Sequence, residues 1–222
     1  METPTRTADR AEALLADAFG RRYRYCGPAE GWTAHARCRD ATGEFDATVA
    51  VSCARDAQAI PDVDIATPRL EWVVQDLRSF ARTLYGHDYE KGEGRFPKVL
   101  DDTPNPLGPL VVLLDDPHRA TFRVRKHRIT EATRIEGELR QRLRVDRWHV
   151  RPDGRWLPAQ WKLEIWAGDS GRRLVCERYW DLYWPVQGEL VPQLRRVDIT
   201  DEYGLTSQRS LSIGSWQLLN RP

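Results

Sequence analysis

The chain has 222 residues, 41% of them apolar and nine of them tryptophan, which is enough to bury a sizeable core within one domain over residues 1–222. Its 34 basic and 33 acidic side chains nearly cancel, so no global field draws nucleic acid or an anionic membrane, and neither is expected as a partner. There is no run of about 18 apolar residues, and "METPTRTADRAEALLADAF" lacks the basic, apolar, small-residue order of an export signal, so a cytoplasmic location is expected.

In chain order, Thr7 caps a helix over 7–23 in which Leu14, Leu15, Ala18, Phe19 and Arg22 share one face. The next stretch alternates in two runs, Trp32/Ala34/Ala36/Cys38 and Phe45/Ala47/Val49/Val51, around Ala41-Thr42-Gly43, which predicts a hairpin over 31–53. Thr67-Pro68 opens a helix over 67–85, with Leu70, Val73, Val74, Leu77, Phe80, Ala81 and Leu84 as its apolar stripe and Gly86 at its end. Residues 85–109 are rich in Gly, Pro and Asp and read as a long loop. From Leu110 to 219 the turn signals "DDPH", "IEG", "RPDG", "GDSG", "VQG" and "DEYG" punctuate an antiparallel meander of seven or eight strands. The fold class is therefore α+β, a curved antiparallel sheet with helix 67–85 packed against it.

"GDSG" (168–171) also surrounds the nucleophile of trypsin-like serine proteases, and "WTAHARC" (32–38) loosely echoes their histidine motif. Alternating strands on both sides make GDSG a hairpin turn, and Arg172-Arg173 replace the residues the protease motif continues with, so Ser170 is read as a turn residue. No dinucleotide, P-loop, nucleophile-elbow or zincin motif occurs, so no cofactor is expected. Cys26, Cys38, Cys53 and Cys176 show neither CxxC spacing nor a pairing pattern and read as reduced core thiols; the five histidines are scattered, and no metal is expected.

What remains is carboxylates, arginines and aromatics. Asp46 sits inside the hairpin's second strand, on the face opposite Phe45 and Ala47; cover on both faces of that strand would raise its pKa toward that of a general base. In "RYWDLYWPV", Tyr179, Asp181 and Tyr183 share one strand face while Trp180, Leu182 and Trp184 share the other, one of them core and the other open to lining a ligand cavity. Catalytic candidates are thus Asp46 and Asp181, with Trp32, Arg178, Tyr179, Tyr183 and Trp184 as ligand-binding candidates. Arg172, Arg173, Arg178, Arg195 and Arg196 either hold an anion or form a solvated sheet face.

At "YWPVQGELVPQLRRVDIT" and "GLTSQRSLSIGSWQLL", together with the Tyr23-x-Tyr25 ending of the first helix, the hairpin and "FRVRKHRITEATRI", the chain resembles an uncharacterised bacterial and plastid domain family best represented in cyanobacteria. The pattern Gly188, Leu190, Val191, Pro192 is also similar to the lipoprotein-localisation-factor-like fold. The resemblance implies a strongly curved antiparallel half-barrel meander wrapped around one or two helices, with an apolar pocket, and brings no catalytic residues with it.

Three functional readings stay open. The first is an accessory biosynthetic enzyme of specialised metabolism, a cofactor-independent cyclase or elimination catalyst that binds a small molecule and uses carboxylate acid/base chemistry with arginine electrostatics. The second is a non-catalytic carrier of a hydrophobic ligand, and the third a protein that stabilises a partner, with a homo- or heterodimer through the sheet face or edge.

Overall fold

The computed structural model describes residues 4–25, 30–52, 56–62, 67–86, 88–168 and 170–219. Cys26 and Cys53 lie outside the described residues, whereas Cys38 and Cys176 are buried free thiols. The described strands form a twelve-stranded sheet in the order β3-β2-β1-β12-β11-β10-β9-β8-β7-β6-β5-β4. Every register described in it is antiparallel. The antiparallel sheet and two helices expected from the sequence are present, with two more strands than the hairpin and meander supply. The residues divide into two compact units, 1–22, 87–178 and 199–206 on one side and 23–86, 179–198 and 207–222 on the other.

In the first unit, α1 (Pro4–Gly20) starts before Thr7 and ends before Tyr23. Its face of Ala11, Leu15, Ala18 and Phe19 packs on Val111 and Leu113 of β5 (Leu110–Leu113), Phe122 and Val124 of β6 (Thr121–Arg125), and Ile129 of β7 (Arg128–Glu136). Trp156, at the start of β9 (Trp156–Ala167), joins this cluster, and its indole donates to the His127 carbonyl at 3.2 Å. β8 (Leu139–Val150) lies between β7 and β9.

The stretch 85–109 departs from the loop expected of it. It carries a 3-10 turn, Glu93–Arg95, and strand β4 (Lys98–Asp101). Its polar composition hides a buried anchor: Lys98 Nζ lies 2.6 Å from Glu12 of α1 and donates to the Phe96 carbonyl at 2.7 Å, while the Tyr89 hydroxyl donates to the same Glu12 at 2.7 Å. Further on, Gly108 has φ +98°, and a Cβ there would stand 2.1 Å from the Val124 carbonyl oxygen. Gly108→Ala is therefore expected to cost at least about 1–3 kcal/mol in backbone strain alone, seen as a lower thermal midpoint at an unchanged denaturant slope.

In the second unit, β1 (Gly31–Asp40) and β2 (Gly43–Ser52) form the expected hairpin, Asp40 facing Gly43 across a two-residue turn. Trp32, Ala34, Ala36 and Cys38 are buried together with Phe45, Ala47, Val49 and Val51, as period-two alternation requires. β3 (Ala57–Pro61) adds an edge strand that the sequence reading lacked; at five residues, with Pro61 at its end, it gives too little alternation to register. α2 (Thr67–Tyr85) keeps its expected bounds and buries Val73, Leu77, Phe80, Ala81 and Leu84; Leu70 is only half-buried. Each of the larger buried side chains contributes about 1.5–3 kcal/mol by apolar transfer.

The N-terminal turn of α2 is tied to the hairpin through Arg69, which donates Nε and Nη2 to Asp40 at 3.0 Å each and Nη2 to the Gly43 carbonyl at 3.2 Å. Thr42 adds its amide and hydroxyl to Asp40 at 2.8 and 2.6 Å. Burial pushes the Asp40 carboxyl up, but these donors outweigh it and hold the pKa well below its ordinary 3.8. A carboxyl depressed on folding stabilises the native state above its unfolded pKa, and that contribution is lost as pH falls through the folded one. Asp40→Asn is accordingly expected to lower the urea midpoint at pH 7 and to flatten its decline below about pH 4.

The meander continues with β10 (Arg173–Val186), β11 (Glu189–Asp201) and β12 (Thr206–Leu219), each contributing to both units, so β5 to β12 give eight strands after Leu110. Ser170 lies exposed in the turn between β9 and β10, where the Ala167 amide donates to the Arg172 carbonyl at 2.9 Å and Gly171 takes φ +64°.

Candidate functional site

β10 presents Tyr179, Asp181 and Tyr183 inward and Leu182 and Trp184 outward, the division that strand periodicity requires. β11 places Arg195 on its buried face beside Val197, β12 brings Arg209, and α2 supplies Asp76. These four charges form one network in the second unit. Arg195 donates Nε and Nη2 to the two oxygens of Asp181, each at 2.8 Å, and Nη1 to the Asp76 carbonyl at 3.1 Å. Arg209 grips the Asp76 carboxylate at 2.9 and 3.1 Å.

Arg195 is fully buried, and its guanidinium lies 3.8 Å above the Phe80 ring and 5.0 Å from that of Tyr179. Burial works against its charge, but the Asp181 and Asp76 carboxylates overcome that and keep its pKa above the ordinary arginine value. Two cations and two anions leave the network neutral, so it holds α2 on three strands at once.

This arrangement corrects the reading of Asp181 as a base, since both oxygens already accept from a permanently charged guanidinium. Arg195 is not a solvated residue, and the anion it holds is the Asp181 carboxylate. Of the predicted ligand residues, the network brings in Tyr179 directly and Tyr183 through Phe80, whose ring it meets edge-on at 6.3 Å. Arg178 is exposed, and Trp184, 57% exposed, faces away from Asp181, so neither joins. Trp32 is buried elsewhere, edge-on to Trp216 at 4.5 Å.

Asp46 stands apart from this network. It lies on the open face of β2, half-exposed, and receives Arg37 Nε at 3.1 Å. Only one face of β2 is covered, so the burial expected of Asp46 does not arise. Asp46 does line a surface depression of ≈ 390 Å³ with His35, Ala36, Arg37, Asp62, Ser212 and Gly214.

Asp76 and Arg209 went unread in the sequence, yet one signal was there. Asp76 stands three residues after Val73 and four before Phe80, inside the apolar stripe of α2, and an acid at that spacing needs a buried cation. Among the described residues no group of three His, Cys, Asp or Glu side chains is arranged to hold a metal ion, and no helix is long and apolar enough to cross a membrane.

No protein-family model and no curated protein matches the chain. Among solved structures it is similar to a LolA-superfamily protein from Nitrosomonas europaea, at 16% identity over 96% of this chain and 94% of that one, with a TM-score of 0.37. It is also similar to a candidate outer-membrane lipoprotein-sorting protein domain from Vibrio parahaemolyticus, at 11% identity over 95% and 93% with a TM-score of 0.37. A DUF1329 family protein from Desulfovibrio piger follows at 7% identity over 96% and 93%, with a TM-score of 0.29. Likeness at this level carries no argument about what the chain binds or does.

Proposed function

We propose that this chain is a non-catalytic carrier of a hydrophobic ligand, received among the aromatic side chains of α2 and its neighbouring strands in the second unit. The observation behind this reading is a set of buried polar atoms in an aromatic setting: Tyr25 Oη, Trp32 Nε1 and Trp72 Nε1 make no hydrogen bond. A buried donor left unmade costs about 1–3 kcal/mol, and a ligand bearing an acceptor, such as a fatty acyl ester or carboxylate, relieves that cost.

The surroundings suit an apolar body. Tyr25 meets Tyr85 edge-on at 5.4 Å, Trp32 meets Trp216, and Trp72 meets Phe45 at 6.4 Å. Burial, and after it the charge of Glu189, pushes the Tyr25 phenol above its ordinary pKa, so it stays a neutral donor.

The test is a titration of the intact protein with a fluorescent acyl probe, dansyl-undecanoate, displaced by hexadecanoate. Saturable binding is expected, and Trp32→Phe, which keeps a six-membered aromatic ring and removes the pyrrole portion with its N–H, is expected to weaken it about 5–10-fold. Absence of saturable acyl binding would sink the reading.

A second reading rests on the depression that gathers His35, Arg37, Asp46, Asp62 and Ser212. In it the chain is a cofactor-independent enzyme of the cyclisation or elimination type, with Asp46 taking the proton and Arg37 steadying the developing anion. An unchanged metabolome in a deletion strain counts against it.

A further inference from the structure

β8 begins Leu139-Arg140-Gln141-Arg142-Leu143-Arg144, and strand periodicity sends Arg140, Arg142 and Arg144 to one face. Leu143 pairs with Ala132, which packs against the core around α1, so the three arginines face the other way. Across the ladder β9 sets Trp166, Glu164 and Lys162 directly opposite Arg140, Arg142 and Arg144.

Glu164 is the pivot of this face. Its side chain is 7% exposed; Oε2 accepts from Arg142 Nε and Nη2 at 3.0 and 2.7 Å, and Lys162 Nζ lies 3.5 Å away. Arg173 Nη1, from β10, lies 4.0 Å from its other oxygen. Burial pushes the Glu164 carboxyl up, and the cations, Arg142 first, bring it below its ordinary value. The Arg142 plane is further fixed 4.8 Å over the Trp166 ring.

Glu131, opposite Arg144 on β7, pairs with Arg123 at 3.8 Å, so Glu164 and Asp146 are left to face Arg140, Arg142, Arg144, Lys162 and Arg173, and the side chains of Arg144 and Arg173 are partly exposed. Arg144 Nε is itself buried, 3.4 Å from Asp146 Oδ1, while the Arg144 side chain as a whole is 42% exposed. Strand geometry spaces the arginines about 6.7 Å apart along β8 and about 4.8 Å from their partners on β9. Like charges at those separations repel unless an anion bridges them, and guanidinium and ammonium groups bind phosphate oxygens strongly.

We propose that this ladder binds an anion carrying two or more phosphate groups, with Arg144, Lys162 and Arg173 as the donors and the Glu164–Arg142 pair as their fixed support. The face belongs to the first unit and does not depend on the carrier reading.

The test is calorimetric titration of the intact chain with tripolyphosphate at about 50 and 200 mM salt. Saturable binding that weakens with salt is expected. The double variant Arg144→Gln/Arg173→Gln is expected to lose at least about tenfold in affinity at an unchanged thermal midpoint, while Arg39→Gln/Arg82→Gln, at exposed arginines elsewhere, keeps it. Flotation with phosphatidylcholine vesicles, with and without phosphatidylinositol bisphosphate, separates the two sources. Vesicle binding displaced by tripolyphosphate assigns a lipid headgroup, and tripolyphosphate binding without vesicle binding assigns a soluble anion. No saturable binding at the lower salt, or equal losses in the two double variants, overturns the proposal.

Discussion

Arg195→Met is expected to lower the unfolding free energy by about 3–5 kcal/mol, read as a fall in the urea midpoint at constant slope. The substitution takes the bidentate guanidinium from buried Asp181, and removes the Nη1 donation to the Asp76 carbonyl. Asp181→Asn is expected to act in the same direction, because it takes from Arg195 the nearer of its two carboxylates and leaves Asp76 at 3.7 Å. The informative comparison is Asp181→Leu/Arg195→Met, which removes both charges and leaves Asp76 with Arg209 at 2.9 Å. That variant is expected to recover much of the loss, since apolar replacement of a whole buried pair is often neutral or stabilising. A double variant as unstable as Arg195→Met would show that shape and ring contacts, rather than charge, set the cost.

Phe80→Ala should cost about 3–5 kcal/mol, the usual range for deleting a buried aromatic ring. Phe80 is fully buried on α2, under the Arg195 guanidinium at 3.8 Å and edge-on to Tyr183 at 6.3 Å. Its removal opens a cavity and also takes away the ring face on which a desolvated cation rests. Because Phe80 and Arg195 touch, the loss in Phe80→Ala/Arg195→Met is expected to be smaller than the two single losses combined. Thermal denaturation of the four proteins in parallel measures that coupling.

What was legible in the sequence was whatever repeats with a regular period. The hairpin showed in the alternation of Trp32, Ala34, Ala36 and Cys38 with Phe45, Ala47, Val49 and Val51, and α2 in its stripe from Val73 to Leu84. The turn at 168–171 showed because glycine, aspartate and serine there interrupt two alternating strands. Short or polar elements did not show. β3 offers five residues of alternation, and β4 starts on a lysine whose charge is satisfied by Glu12, 86 residues earlier in the chain.

The candidate site was half legible for the same reason. Strand periodicity put Tyr179, Asp181 and Tyr183 on one face, and that holds. Which face lies inward is decided by what packs on it, and α2 does so from about a hundred residues earlier in the chain. The bidentate grip of Arg195 on Asp181 and the exposure of Asp46 follow from that packing alone. The sequence by itself determined the elements whose order is local, because φ/ψ preference and hydrophobic period act over a few residues. The tertiary structure decided which charges lose their water and which partners replace it, because desolvation and Coulomb energy depend on distance in space and not along the chain.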